Sequence, residues 1–214
     1  MILYENITEE AFGLAVRIAA DKLKALDPNG VCERTGAQIF DNETIQIEYL
    51  NSPYYVNLRT GAILDKDNKD SLQLRDKIIL LHYLVDAKGS PPSGKLITYA
   101  QIEGGKFYFP VFHKRTVEPM IKYFSDKPEL LIEVSEPLGA QKERYGDTSI
   151  SLYPLPLVKM YIILWKGDED IPANGNILFD KNVTDYLCAE DIAVLTEIVV
   201  WRLIRSIGKG VARF

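Results

Sequence analysis

The segment TSISLYPLPLVKMYIILW, residues 148–165, constrains the fold more than any other part of the sequence. Pro154 and Pro156 break it into two strands, because proline cannot donate a hydrogen bond to a neighbouring strand. The second strand is apolar on both faces, which is typical of a strand at the centre of a sheet. The rest of the chain must therefore supply flanking strands and helices that cover this sheet.

The remaining periodic segments predict elements of both kinds. Residues 44–50, TIQIEYL, alternate apolar and polar side chains and predict the best of four short strands in an antiparallel meander. Helical spacing predicts one helix over residues 9–25, with Asn6 or Thr8 as its cap and the turn DPNG at its end, and another over residues 71–87. Further helices are predicted from near Pro110 to Phe124, from Pro128 to about Leu138, and over residues 189–207.

These elements predict an α+β fold in which a mostly antiparallel sheet packs against several helices. The chain has 214 residues, of which 47% are hydrophobic, and this is enough for a substantial core. Since neither a repeat nor a long linker interrupts the chain, we expect a single domain over residues 1–214.

The charge distribution argues against nucleic acid and membrane partners. The chain has 30 acidic and 25 basic residues, a formal charge of -5, and no block of Lys and Arg interleaved with aromatic residues. No segment offers about 18 uncharged apolar residues in a row, and the start MILYENITEE lacks a basic region before an apolar one. We expect a cytoplasmic protein that binds neither nucleic acid nor membrane.

The two cysteines, Cys32 and Cys188, lie far apart and form no C-x-x-C pattern. The thiols of this chain therefore cannot by themselves build a zinc site or an iron–sulfur cluster. A disulfide stays open, but a reduced pair is the better interpretation for a cytoplasmic protein. With only two histidines as well, we expect no metal-ion site built from side chains alone.

Residues 89–95, GSPPSGK, match the first seven positions of a phosphate-binding loop. Such a loop works between a preceding strand and a following helix, whereas here a helix precedes it and a strand follows. Pro91 and Pro92 also lack N–H groups, and Leu96 stands where a magnesium-binding Ser or Thr belongs. We therefore predict a proline-stiffened connection that does not bind nucleotide.

Two acidic stretches, residues 65–70 and 168–170, invite comparison with calcium-binding loops. Both fail the template, because Lys69 and Pro172 stand at the fifth position, where it has an oxygen ligand. We predict that both stretches are solvated loops.

The two histidines are the candidate ligands of a cofactor. His82 shares a helix face with Asp86, which at i+4 is placed to orient the imidazole. His113 falls in one helical stripe with Val117 and Met120, pointing to the core side, and has no carboxylate four residues away. Each histidine is either a hydrogen-bonded structural residue or an axial ligand to a flat metal macrocycle in an apolar pocket.

Two stretches, residues 80–115 and 164–204, carry a family resemblance. Their marked features are Leu81-His82-Tyr83-Leu84, Gly89 to Gly94-Lys95, Gly104-Gly105, Trp165, Asp168-Glu169, Pro172, Ile177-Leu178-Phe179-Asp180, Tyr186-Leu187 and Glu190-Asp191. Together they resemble an uncharacterised domain-of-unknown-function family of anaerobic bacteria and archaea, numbered thirty-seven eighty-six in that series. The resemblance extends over most of the chain after residue 8.

The resemblance implies a place in anaerobic corrinoid and iron–sulfur metabolism. Relatives of this kind are sometimes preceded by a four-cysteine iron–sulfur segment like that of corrinoid iron–sulfur proteins, which this sequence does not contain. We expect a non-catalytic cofactor-binding or accessory module in one-carbon metabolism. Its cofactor would be a corrinoid held by His113, His82 and Met120, and its partner a corrinoid or iron–sulfur protein.

Two alternatives stay open. One is a small-molecule enzyme with a site near the 168–180 loop, and the other is a structural protein-interaction domain. The resemblance brings no established catalytic residues to this sequence, so the residues alone do not decide whether the protein is an enzyme.

Overall fold

The computed structural model describes residues 9–208, and the cap candidates Asn6 and Thr8 lie outside this range. Within it the chain forms seven α-helices and nine strands, which build two antiparallel sheets. The predicted α+β class with mostly antiparallel strands is confirmed. Contacts divide the described residues into two compact units, residues 9–90 with 185–187 and residues 91–184 with 188–208. The single domain expected over the whole chain stays a prediction.

The first unit contains a four-stranded sheet with the order β1-β2-β3-β4, as expected for a meander. In β2 the predicted alternation buries Ile45, Ile47 and Tyr49 on one face. Helix α1 packs against α3. The elements are α1 (Glu9–Lys24), α2 (Pro28–Thr35), β1 (Gln38–Ile39), β2 (Thr44–Tyr49), β3 (Ser52–Asn57), β4 (Ile63–Asp65) and α3 (Leu74–Asp86).

Two local features shape this unit. Helix α2 replaces the turn expected at DPNG: Asp27 caps it by accepting the Gly30 N–H at 2.7 Å, and Pro28 takes the first helical position. Gly61 adopts φ +71°, and a Cβ at this position would overlap Ala20 of α1. The turn between β3 and β4 therefore approaches α1 only because residue 61 has no side chain.

The second unit contains a five-stranded sheet with the order β5-β9-β8-β7-β6. Strand β8 is central, as its apolar sequence predicts, and Met160, Ile162 and Leu164 on one of its faces are fully buried. The elements are β5 (Leu96–Thr98), α4 (Gly105–Arg115), α5 (Val117–Phe124), α6 (Pro128–Ser135), β6 (Gln141–Lys142), β7 (Thr148–Leu155), β8 (Val158–Trp165), β9 (Asn174–Asp180) and α7 (Ala189–Ser206). Among residues 9–208 we find no helix with the length and apolar character of a membrane span.

The single helix predicted from near Pro110 to Phe124 is wrong. The segment forms two helices, α4 and α5, and their backbone breaks at Thr116, where φ is -125° and ψ is -61°. Pro119 explains the break, because its ring clashes with the carbonyl group four residues earlier, that of Arg115, and it has no N–H to donate there. As a result, His113 and Met120 lie on different helices and do not form one stripe.

Candidate functional site

The loop that resembles a phosphate-binding motif binds a carboxylate of its own unit. Asp180, at the end of β9, is only 3% exposed. It accepts hydrogen bonds from the Ser93 N–H at 2.9 Å, the Ser93 hydroxyl at 2.7 Å and the Gly94 N–H at 2.7 Å. The Asn182 N–H donates a fourth hydrogen bond at 3.0 Å. The loop also lies between a helix and a strand in the predicted order, α3 before it and β5 after it.

The electrostatics of Asp180 fit a structural role. Burial on its own would raise the pKa of this carboxyl group, but the hydrogen bonds from Asn182, Ser93 and Gly94 outweigh it and hold the pKa below its usual value. Asp180 is therefore an anion at neutral pH whose charge is compensated by its own loop. The N–H groups of Ser93, Gly94 and Lys95, which a phosphate in this loop would need, are already in use.

The two acidic stretches form hydrogen-bonded turns. Asp65 accepts hydrogen bonds from the backbone N–H groups of Lys69 and Asp67. Asp168 accepts hydrogen bonds from the backbone N–H groups of Asp170 and Ile171. These backbone hydrogen bonds lower the pKa of both carboxyl groups. In the part of the chain that the structure describes, no group of three His, Cys, Asp or Glu side chains is arranged to hold a metal ion.

Both cysteines are free thiols. Cys188 precedes α7 and donates to Asp191 Oδ2 at 3.2 Å. Desolvation of this thiol and the nearby Asp191 carboxylate raise its pKa to about 12, and burial likewise raises the pKa of Cys32. Since the thiolate is the nucleophile and metal ligand, neither cysteine is prepared for either role at neutral pH.

The three predicted cofactor residues lie on three different helices. His82 is half buried on α3, and Asp86 is exposed at the end of the same helix. Met120, on α5, is fully buried, and its Cε lies 2.5 Å from the position that a Cβ of Gly175 would occupy. This places Met120 in close packing against β9. His113, on α4, is the residue of the three whose surroundings match a ligand most closely.

His113 does not point to the core side, and it has a carboxylate partner after all. Its side chain is 36% exposed, and Nδ1 lies 3.3 Å from Glu118 Oε1. In the tautomer with the hydrogen on Nδ1, this nitrogen donates to the Glu118 carboxylate, and Nε2 is the atom that could bind a metal.

One aromatic ring lies beside His113. The Phe109 ring, which is half buried, lies 5.9 Å from the imidazole, centroid to centroid. Chemically, an imidazole between a carboxylate and an aromatic ring can serve as a ligand to a partly apolar metal complex.

Sequence reasoning missed Glu118 because it assumed a continuous helix, in which residues five apart do not face each other. The break at Thr116 brings Glu118 to His113. Pro119 was the available signal, since a proline inside a helical pattern usually ends or kinks the helix a few residues earlier.

The shifted pKa values share one property: each moves away from neutrality. Those of Asp65, Asp168 and Asp180 are lowered, and those of both cysteines, Tyr186 and Lys159 are raised. For Lys159 the main cause is its hydrogen bond to Tyr161, and for Tyr186 it is burial. Catalytic acids and bases are usually tuned in the opposite direction, toward the operating pH. None of the groups with a shifted pKa is therefore tuned as an acid–base catalyst would be.

A family model described as Domain of unknown function (DUF3786) matches residues 27–202. Comparisons with curated proteins and with solved structures found no match. The chain belongs to the DUF3786 family, as its sequence features indicated.

Proposed function

We propose that this member of the DUF3786 family is a non-catalytic module that binds a corrinoid, a flat metal macrocycle, through His113. The observation that carries the proposal is the contact of 3.3 Å between His113 Nδ1 and Glu118 Oε1. Metal-binding histidines almost always donate their second N–H to a carboxylate, a carbonyl group or a water molecule, which fixes the tautomer and makes the other nitrogen more basic. His113 has this arrangement before any metal is bound.

The residues on α4 fit such a ligand. His113 would hold the metal through Nε2, and the Phe109 ring beside it would contact the ligand. A bound corrinoid would supply a metal centre suited to one-carbon transfer. The chain itself would bind and orient it.

The pKa shifts support an accessory role. None of the groups with a shifted pKa is tuned toward neutral pH, and in this proposal a partner protein would carry out the chemistry. The family resemblance suggests a corrinoid or iron–sulfur protein of anaerobic one-carbon metabolism. The free thiols of Cys32 and Cys188 support a reducing compartment, and we place the module in the cytoplasm.

The proposal is tested by adding hydroxocobalamin to the purified protein and recording its visible spectrum. We expect a shifted spectrum with the wild type, no shift with His113→Ala, and about tenfold weaker binding with Glu118→Gln, the usual effect of losing such a partner. His82→Ala is the matched control and should keep the spectral shift. The proposal would be contradicted if the wild-type protein left the cobalamin spectrum unchanged, or if the His113→Ala variant shifted the spectrum as much as the wild type.

A structural protein-interaction domain is the second candidate, and one face of the five-stranded sheet favours it. Tyr145, Tyr153 and Trp165 are 45%, 43% and 39% exposed, and the Lys159 Nζ lies 5.6 Å from the centre of the Tyr153 ring. Aromatic residues are enriched at protein interfaces. If the protein ignores corrinoids and a Tyr153→Ser, Trp165→Ser double variant loses a partner that the wild type binds, this second candidate is favoured.

A further inference from the structure

A cleft of about 360 Å³ opens in the first unit. It lies between the end of α1, the start of α2 and the turns that follow β1 and β3. Its floor is apolar: Leu23 is 1% exposed, and Leu26 and Leu58 are half buried. Its rim includes the charged side chains of Lys24, Glu43 and Arg59. An apolar floor with a few polar groups at its edge, in this range of volume, is typical of small-molecule sites.

The rim is held by hydrogen-bonded turns. Asn57 Oδ1 accepts from the Arg59 N–H at 3.1 Å, and Asp41 Oδ1 accepts from the Glu43 N–H at 2.8 Å. The Leu58 N–H donates to the Glu43 carbonyl oxygen at 2.7 Å and ties the two turns together. The cleft is therefore formed in advance and needs little ordering when a ligand enters.

The charged groups at the rim favour an anionic ligand. Arg59 Nη2 lies 2.8 Å from Glu43 Oε1, and the two side chains are 75% and 43% exposed. Ion pairs this exposed are weak, and the planar guanidinium group binds any carboxylate in the same way. Lys24, the other cation of the rim, is already paired with Asp21, whose Oδ1 lies 2.7 Å from its Nζ, so Arg59 is the group that would bind the ligand's charge. A carboxylate on a ligand is therefore able to take the place of Glu43 on Arg59.

We propose that this cleft binds a small amphipathic monocarboxylate, with its chain on Leu23, Leu26 and Leu58 and its carboxylate on Arg59. A volume of about 360 Å³ holds roughly twelve water-sized groups at about 30 Å³ each, which matches a carboxylic acid of medium chain length. The proposal concerns the first unit alone and does not depend on corrinoid binding by His113.

The test is a titration of the full chain with octanoate, and separately with octan-1-ol, followed by the NMR chemical shifts of the backbone amides. The amides of Asn42, Glu43, Leu58 and Arg59 should shift with octanoate, with a Kd on the order of 1 mM, because each atom of a small ligand contributes modestly. Octan-1-ol should bind at least about fivefold more weakly, since it offers no charge to Arg59.

Two variants should change octanoate binding in opposite directions. Arg59→Gln should weaken it about fivefold or more, and Glu43→Gln should tighten it about two- to fivefold, because the competing ion pair of roughly 0.5–1 kcal/mol is gone. Arg144→Gln, an exposed arginine of the second unit, is the control and should change nothing. Equal binding of octanoate and octan-1-ol, variants that shift affinity in the same direction, or no shift of the rim amides would overturn the proposal.

Discussion

Replacing Asp180 by Asn tests the structural role given to the loop at residues 91–94. Asparagine keeps one oxygen to accept from Ser93 and Asn182, but its NH₂ group would face the Gly94 N–H, which now donates at 2.7 Å. Losing that charge-assisted hydrogen bond costs about 1.5–3 kcal/mol, and the remaining bonds weaken when their acceptor becomes neutral. Asparagine also removes the cost of burying a charge, and this offsets part of the lost stability. We expect Asp180→Asn to lower the free energy of unfolding by roughly 2–4 kcal/mol.

The stability lost in Asp180→Asn should also depend on pH in a direction that the pKa of Asp180 determines. The pKa of Asp180 is lower in the folded protein than in the unfolded chain. Its contribution to stability is therefore fully present above the unfolded-state pKa of about 4 and is lost as the pH falls through the lower folded-state value. The difference in stability between the wild type and Asp180→Asn should be largest at neutral pH and shrink below about pH 4.

Urea unfolding followed by circular dichroism, at pH 7 and then stepwise to about pH 3, measures both effects. Hydrogen exchange of the Gly94 amide should also become faster in the variant. Asp126→Asn removes an exposed carboxylate and is the control, with an expected change within about 0.5 kcal/mol. A loss below about 0.5 kcal/mol in Asp180→Asn at pH 7, or a difference that does not change with pH, would refute the assignment.

Three further changes test other parts of the account. Gly61→Ala should lower the free energy of unfolding, measured in urea, by at least about 2 kcal/mol, because the new Cβ would overlap Ala20. Gly94 has the same φ of +71° but open space around it, so Gly94→Ala should lower this free energy by only about 1 kcal/mol. Equal losses in the two variants would contradict this account. Cys188 should react with iodoacetamide at pH 8 far more slowly than free cysteine, because its pKa is about 12; equal rates would contradict that value. His82→Ala should lower stability by about 1–3 kcal/mol without changing cobalamin spectra, and an altered spectrum would make His82 a ligand.

The parts of the fold that sequence predicted well are those with strong local patterns. The apolar run of β8 indicated a central strand, and β8 is central. The alternation of β2 indicated which face is buried, and Ile45, Ile47 and Tyr49 are buried. In both cases the local pattern of apolar side chains, a continuous run in β8 and an alternation in β2, is enough to indicate the result.

The elements that were missed have patterns in which local signals conflict. Strand β9 begins with Asn174-Gly175-Asn176, a composition typical of a turn, and becomes a strand because it pairs between β5 and β8. Helix α2 was taken for a turn because Asp27-Pro28 begins both turns and helices. Strand β9 depends on pairing with strands that are distant in the sequence, and the local sequence does not reveal such pairing.

The candidate site combines a residue chosen from the sequence with a partner that only the structure reveals. His113 was selected from the sequence, but its partner Glu118 depends on the helix break at Thr116. The partners of Asp180 lie 86 and 87 residues away in the chain, so no local pattern brings them together. The sequence correctly indicated that residues 89–95 lie between a helix and a strand in the order opposite to that of a phosphate-binding loop.

Electron paramagnetic resonance of the full chain loaded with cob(II)alamin tests axial ligation by His113 most directly. The ligand nucleus splits each cobalt line into a triplet if it is ¹⁴N and into a doublet if it is ¹⁵N. If His113 holds the metal through Nε2 as proposed, protein labelled with ¹⁵N-histidine should give doublets, and the labelled His113→Ala variant should lose them. Triplets that persist in the labelled wild-type protein would place the cofactor's own base on the cobalt and contradict the proposal.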